Sequence, residues 1–185
     1  DVFRILYAGG LSVQKGIPYL LEAFSELHLP NSELLLVGDV YPDARAALRE
    51  YRGLFRHIRF VPQAELVHHY QQASVFVLPS LQDGFGMVVY EAAGCGLPVI
   101  ITENVGAEVR NGEDGFVVPV RDAGTLAEKL RFFHEHPEKR MRMGRAARDY
   151  VQQFTWQNYH REVIEQYDAI LTQRGRVPPG SRVEL

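Results

Sequence analysis

Short apolar runs alternate with longer stretches of helical spacing along most of the chain. Apolar segments at 3–8, 33–37, 58–61, 74–78, 98–101 and 116–118 predict strands. The intervening segments 17–27, 43–52, 64–72 and 87–94 place apolar residues three and four apart, as a helix with one buried face requires. Runs such as Val75-Phe76-Val77-Leu78 are apolar on both faces, the pattern of a strand buried between two helix layers. The alternation spells repeated βαβ units. It predicts an α/β fold of three layers, a parallel sheet with helices on both faces. On such sheets ligands bind at the carboxyl ends of the strands, near the point where strand order reverses.

After residue 120 the character becomes helical. Asp122 is placed to cap a helix burying Leu126, Leu130 and Phe133, and Pro137 fits the first turn of the next. Thr155 can cap a third with Trp156, Tyr159, Val163, Tyr167 and Ile170 on one face. The expected organisation is one domain over 1–174 and a flexible Pro-, Gly- and charge-rich tail over 175–185.

The stretch with the most chemistry is PSLQDGFGMVVYEAAGCGLPVI, residues 79–100. Pro79-Ser80 ends a strand, and Gly84-Phe85-Gly86 turns the backbone sharply into a helix. The free N–H groups and positive dipole end of that helix favour a phosphate or a sugar hydroxyl. Two carboxylates, Asp83 and Glu91, bracket the turn and can be aimed at one ligand from two sides. The structural alternative is an acidic cap at Asp83 and a solvated Glu91. A second loop, Gly9-Gly10-Leu11-Ser12-Val13-Gln14-Lys15-Gly16, joins the first strand to the first helix, and Lys15 there is placed to neutralise a diphosphate. It is neither the Gly-Lys-Ser/Thr phosphate loop nor the Gly-x-Gly-x-x-Gly dinucleotide fingerprint. Gly38, in Val37-Gly38-Asp39, permits a close approach to the backbone at the end of the second strand.

These motifs resemble the retaining glycosyltransferases of family 4 and their relatives with the GT-B fold. The family pattern Glu-Gly-Phe-Gly, four residues, Glu-Ala, then Gly-x-Pro-Val appears here as Asp83-Gly84-Phe85-Gly86, then Glu91-Ala92, then Gly96-Leu97-Pro98-Val99. Its Gly-Arg-x-x-x-x-Lys-Gly motif appears with Lys15 in the lysine place and Gly10 where many members have arginine. The resemblance implies a Rossmann-like fold, one half of a GT-B enzyme. It also implies that Asp83, with Lys15, serves catalysis: Asp83 lies beside the donor sugar and Lys15 on the leaving diphosphate. Glu91 would hold the ribose hydroxyls, Gly84, Phe85, Gly86, Gly10 and Gly38 would line the ligand, and main chain near Val61 would take the base. The implied substrate is a nucleoside-diphosphate sugar (UDP-, GDP- or ADP-sugar), with no cofactor and no metal, and the acceptor belongs to an N-terminal domain outside these residues. The isolated chain would then bind without turnover. Asp83 is one methylene shorter than the family's glutamate, and Gly10 removes a cation that Arg4, Arg110 or the other domain would have to supply.

Composition narrows the partners. With 185 residues, 46% of them hydrophobic, and a net charge of −3, the chain suits one domain and carries no footprint for nucleic acid. Lys139, Arg140, Arg142, Arg145 and Arg148 form either a solvated helix face or a contact with another domain or an anionic membrane surface. Cys95, the one cysteine, excludes an internal disulfide and, in its apolar setting, reads as an inert buried thiol in a reducing compartment. No run approaches the roughly 18 apolar residues of a membrane span and no leader pattern is present, so a cytoplasmic domain is expected. The adjacent His68 and His69 diverge on a helix and do not form a metal site. Two rival functions stay open. One is another GT-B activity, such as a sugar-nucleotide epimerase or a phosphorylase, though nothing singles out a pyridoxal-phosphate lysine. The other is a non-catalytic binding or assembly module, which the Asp83 and Gly10 departures favour.

Overall fold

The computed structural model describes residues 2–173. Six strands form one parallel sheet: β1 (Phe3–Ala8), β2 (Ser32–Val37), β3 (Phe55–Ile58), β4 (Val75–Leu78), β5 (Val99–Thr102) and β6 (Gly115–Val118), in the order β3-β2-β1-β4-β5-β6. Strand order therefore reverses between β1 and β4, where Ile5 pairs with Val75 and Leu6 with Phe76. This is the Rossmann-like order, and the crevice at the carboxyl ends of β1 and β4 is the position such sheets offer a ligand.

Helices α1 (Ile17–Leu27), α2 (Arg45–Glu50), α3 (Gln63–Gln72), α4 (Met87–Gly94), α5 (Ala123–Glu135) and α6 (Pro137–Val151) cover the sheet. Helix α1 packs against α2 and α5, and α4 against α6. Right-handed crossovers running in opposite directions from the switch point send α1, between β1 and β2, and α4, between β4 and β5, to opposite faces. The periodicity of α1 turns Ile17, Leu20, Leu21, Ala23 and Leu27 inward. Every residue of β4 and β5 is buried, which is why both segments are apolar without alternation. The Asp122 carboxylate accepts from the Thr125 N–H at 2.8 Å and caps α5 as its position predicts.

Two expectations need correction. The third strand occupies 55–58, not 58–61, because its partner β2 ends at Val37, which pairs with Ile58. Beyond that point the ladder has no partner, and Phe60 stands 75% exposed in a loop. The segment 43–52 is a 3-10 turn at Pro42–Ala44 followed by the short α2, instead of one helix. Residues up to Val151 form one compact unit, and a second begins at Gln152 with α7 (Trp156–Gln173). The Thr155 hydroxyl accepts from the Asn158 N–H at 3.1 Å at the start of α7. The expected tail, 175–185, lies outside the described residues.

Candidate functional site: a lysine–carboxylate pair at the switch point

The loops after β1 and β4 are fastened to each other over the crevice. The Leu81 N–H donates to the Gln14 carbonyl at 2.8 Å. Gly16, with φ at +74°, lies so close to Pro79 that a Cβ there would come within 1.9 Å of the Pro79 carbonyl oxygen. Glycine alone meets both demands. Below them the buried Tyr7 hydroxyl donates to the Gly10 carbonyl at 2.8 Å. Burial, and then the charge of Asp83, push the Tyr7 phenol far above its usual range, so it remains a donor.

These fastenings bring Lys15 and Asp83 together. Lys15 Nζ lies 2.7 Å from Asp83 Oδ2, and Asp83 Oδ1 accepts from the Gly86 N–H at 3.0 Å and, more loosely, from Phe85 at 3.4 Å. Burial acts to raise the Asp83 pKa, but the Lys15 hydrogen bond and charge, with the Gly86 and Phe85 N–H groups, outweigh it and hold the carboxyl below its ordinary value. Asp83 thus braces the turn that leads into α4 while facing the lysine, whereas the N-cap position itself is Gly86 and receives no side-chain cap. The carbonyl and N–H of Asp83 also pair with Gly106 and Asn104, so the loop after β5 closes the far side. An open groove of about 470 Å³ runs between Leu81–Gly84 and Glu103–Gly106. A Cβ at Gly84 would meet nothing, leaving its backbone open to a ligand.

Glu91 sits on α4 beside α3. Its Oε2 accepts from the Tyr70 hydroxyl at 3.0 Å, and Gln63 Nε2 approaches Oε1 at 3.4 Å. Tyr70 is 1% exposed, and burial followed by the charge of Glu91 drive its phenol well above the usual range, so it too stays protonated. Neither Tyr70 nor Gln63 was among the residues the sequence singled out. Their spacing of seven, two turns of one helix face, was the available signal.

The remaining predicted residues line the β1–β3 side. A side chain at Gly38 would strike the Gly9 carbonyl at 1.9 Å, so loop packing accounts for that glycine. At Gly10 a Cβ would meet the Tyr41 ring at 2.7 Å, so the half-exposed Tyr41 occupies the space that a larger residue would need. Val61 is half-buried in the loop between β3 and α3. Neither proposed substitute cation is available. Arg4 pairs with Glu33 and with the Gln72 carbonyl toward the other end of β1, and Arg110 is held by Asp114 and Glu113 and stacks on Tyr150. Cys95 is half-buried, with its thiol pushed up by burial and then by Glu91, against a smaller lowering by Arg148. Among the described residues no cluster of three or more His, Cys, Asp or Glu could hold a metal ion.

With that geometry fixed, residues 2–136 match the family Glycosyl transferases group 1. The chain belongs to that family. It is 32% identical over 181 residues to a D-inositol 3-phosphate glycosyltransferase of Corynebacterium urealyticum, an alignment covering 90% of this chain and 43% of the relative. The chain thus spans less than half the length of that curated relative. Among solved structures, sucrose-phosphate synthase from Thermosynechococcus elongatus superposes with a TM-score of 0.81 at 29% identity, over 94% of this chain and 46% of that one. Anabaena HepE in complex with UDP-glucose superposes at 0.79 and 20% identity, over 91% and 49%, a likeness of fold. Among the described residues no helix is long and apolar enough to cross a membrane.

Proposed function

We propose that the chain binds a nucleoside-diphosphate sugar as the donor for retaining glycosyl transfer to an acceptor held by an N-terminal domain outside these residues. The observation that carries this reading is the Lys15–Asp83 pair at the switch point, one cation and one carboxylate held 2.7 Å apart between two glycine-bounded helix starts. Lys15 is a point charge with three donors and can meet a diphosphate while Asp83 keeps one of them. Charge on the leaving diphosphate grows toward the transition state, and a lysine fixed beforehand at that place lowers the barrier without reorganisation. Asp83 and the open backbone at Gly84 face the sugar, Glu91 the ribose, and main chain near Val61 the base.

UDP is the first nucleotide to try, because a domain of this fold in HepE was crystallised with UDP-glucose. An inositol phosphate is the first acceptor class, from the name of the curated relative. The exposed Lys139, Arg142, Arg145 and Arg148 on α6 favour a contact of the longer protein with an anionic membrane surface, and the free thiol of Cys95 suits the cytoplasm. Calorimetry of the chain with UDP, GDP and ADP, paired with hydrolysis of their sugars by the longer protein, tests the reading. Saturable binding of one nucleoside diphosphate without turnover by the chain is expected. Failure of all three to bind would overturn it.

A further inference from the structure

The orientation of Glu91 is set by a buried side chain from another helix. The Tyr70 hydroxyl donates to Glu91 Oε2 at 3.0 Å from the eighth residue of α3, and Gln63, the first residue of the same helix, approaches Oε1 at 3.4 Å. One α3 face thus flanks the carboxylate. The Tyr70 ring is fixed in turn, edge-on to Phe76 of β4 with centroids 5.8 Å apart. A core strand therefore locks the ring and the ring presents its hydroxyl. A free glutamate on an exposed helix samples several rotamers, and selecting one of them at binding costs affinity. Here that selection precedes the ligand. We propose that Tyr70 is a positioning residue: its hydroxyl holds Glu91 in the rotamer that receives the ribose hydroxyls, so that discrimination for ribose over deoxyribose depends on a residue that touches no ligand. The inference rests on the nucleotide-binding reading above. It adds a functional part to an aromatic whose burial alone would otherwise account for it.

Geometry distinguishes this from a packing role. Tyr70→Phe keeps the ring and its Phe76 contact and removes only the oxygen, so the fold is retained. If Glu91 loses its anchor, the loss falls on the ribose hydroxyls and not on the base or phosphates. The experiment is calorimetry of the 185-residue chain with UDP, GDP and ADP and with their 2′-deoxy counterparts, for wild type, Tyr70→Phe, Glu91→Gln and the double variant, with thermal melting of each. Wild type is expected to prefer the ribonucleotide about tenfold, the order of one hydrogen bond to a charged group. Tyr70→Phe should cut that preference to about threefold while leaving the deoxynucleotide affinity unchanged. The double variant should be no worse than Glu91→Gln alone, because Tyr70 acts through Glu91. An unchanged preference in Tyr70→Phe, or additive losses in the double variant, would overturn the positioning role while nucleotide binding stands. Absence of binding by wild type would overturn both.

Discussion

Lys15 and Asp83, 68 residues apart in sequence, meet at 2.7 Å across the reversal of strand order. Each comes from a loop after a neighbouring strand, and each precedes a helix whose first residues carry no side-chain partner of their own helix. The pair sets one charge of each sign against the other before any ligand arrives. An incoming diphosphate competes with Asp83 for the lysine, so affinity depends on how readily the contact is shared.

Lys15→Ala should therefore weaken a nucleoside diphosphate by about tenfold or more while leaving the nucleoside nearly unaffected, since only the phosphates reach that cation. Raising salt from low to physiological strength should narrow the difference, because the contact is partly open to solvent. Calorimetry with diphosphate and nucleoside in parallel reads both. Equal losses for the two ligands would mean that the loop had been disturbed instead.

The same pair predicts a pH signature. A carboxyl with a depressed folded pKa contributes stability that is complete above its unfolded value, about 3.9, and is lost as pH falls through the folded value. Asp83 is such a group, held down chiefly by Lys15 against the opposing effect of burial. Wild type should thus exceed Lys15→Ala in stability at neutral pH, and the gap should narrow progressively on acidification below about pH 4. Denaturant titrations at pH 7 and pH 3 measure it. A gap that does not narrow between pH 7 and pH 3 would assign the stabilisation to the lysine's packing.

Glu91→Gln should weaken the nucleoside diphosphate by roughly 1.5–3 kcal/mol, the range for a hydrogen bond to a charged group. The glutamine keeps an acceptor for the Tyr70 hydroxyl, so the fold should hold. Calorimetry checks it, and wild-type affinity for every nucleotide would remove Glu91 from the site.

Gly16 tests whether the fastened loops matter. An alanine there would put its Cβ against the Pro79 carbonyl at an unfavourable positive φ, so Gly16→Ala should destabilise by about 1–3 kcal/mol and misplace Lys15. Gly84→Ala, whose Cβ meets nothing, should be near neutral in stability. Chemical denaturation of both variants gives the comparison.

The fold is largely legible in the sequence. Buried strands such as Val75–Leu78 announce themselves because nothing polar is tolerated on either face, and Asp122 and Thr155 capped where their side chains suggested. The edge strand β3 departs from its expected limits for the opposite reason. Half-exposed, with Arg56 and His57 outward, it has weak pattern of its own, and its limits come from the end of β2. In the site, local motifs mark Lys15 and Asp83 in loops and Glu91 on α4, but partners distant in sequence leave no local trace. That Arg4 and Arg110 were already engaged, that Tyr41 covers Gly10, and that Tyr70 holds Glu91 are products of tertiary packing.

Asp83 carries two roles that one substitution can separate. In Asp83→Asn the side-chain oxygen can still accept from the Gly86 N–H, so the turn leading into α4 survives, while the pairing with Lys15 is lost. A partly exposed ion pair of this kind contributes about 1 kcal/mol or less, so the variant should fold. Released from its partner, Lys15 should bind a nucleoside diphosphate as well as in wild type or better. The intact nucleotide sugar should bind more weakly and be turned over more slowly by the longer protein, because the sugar hydroxyls lose a charged acceptor. Asp83→Glu should retain or raise activity, since the added methylene brings the carboxylate further into the groove. Calorimetry with UDP and UDP-glucose, beside turnover, reads the split. Full activity of Asp83→Asn with every ligand would leave Asp83 as a brace of the turn alone and would place sugar recognition on the backbone of Gly84–Gly86.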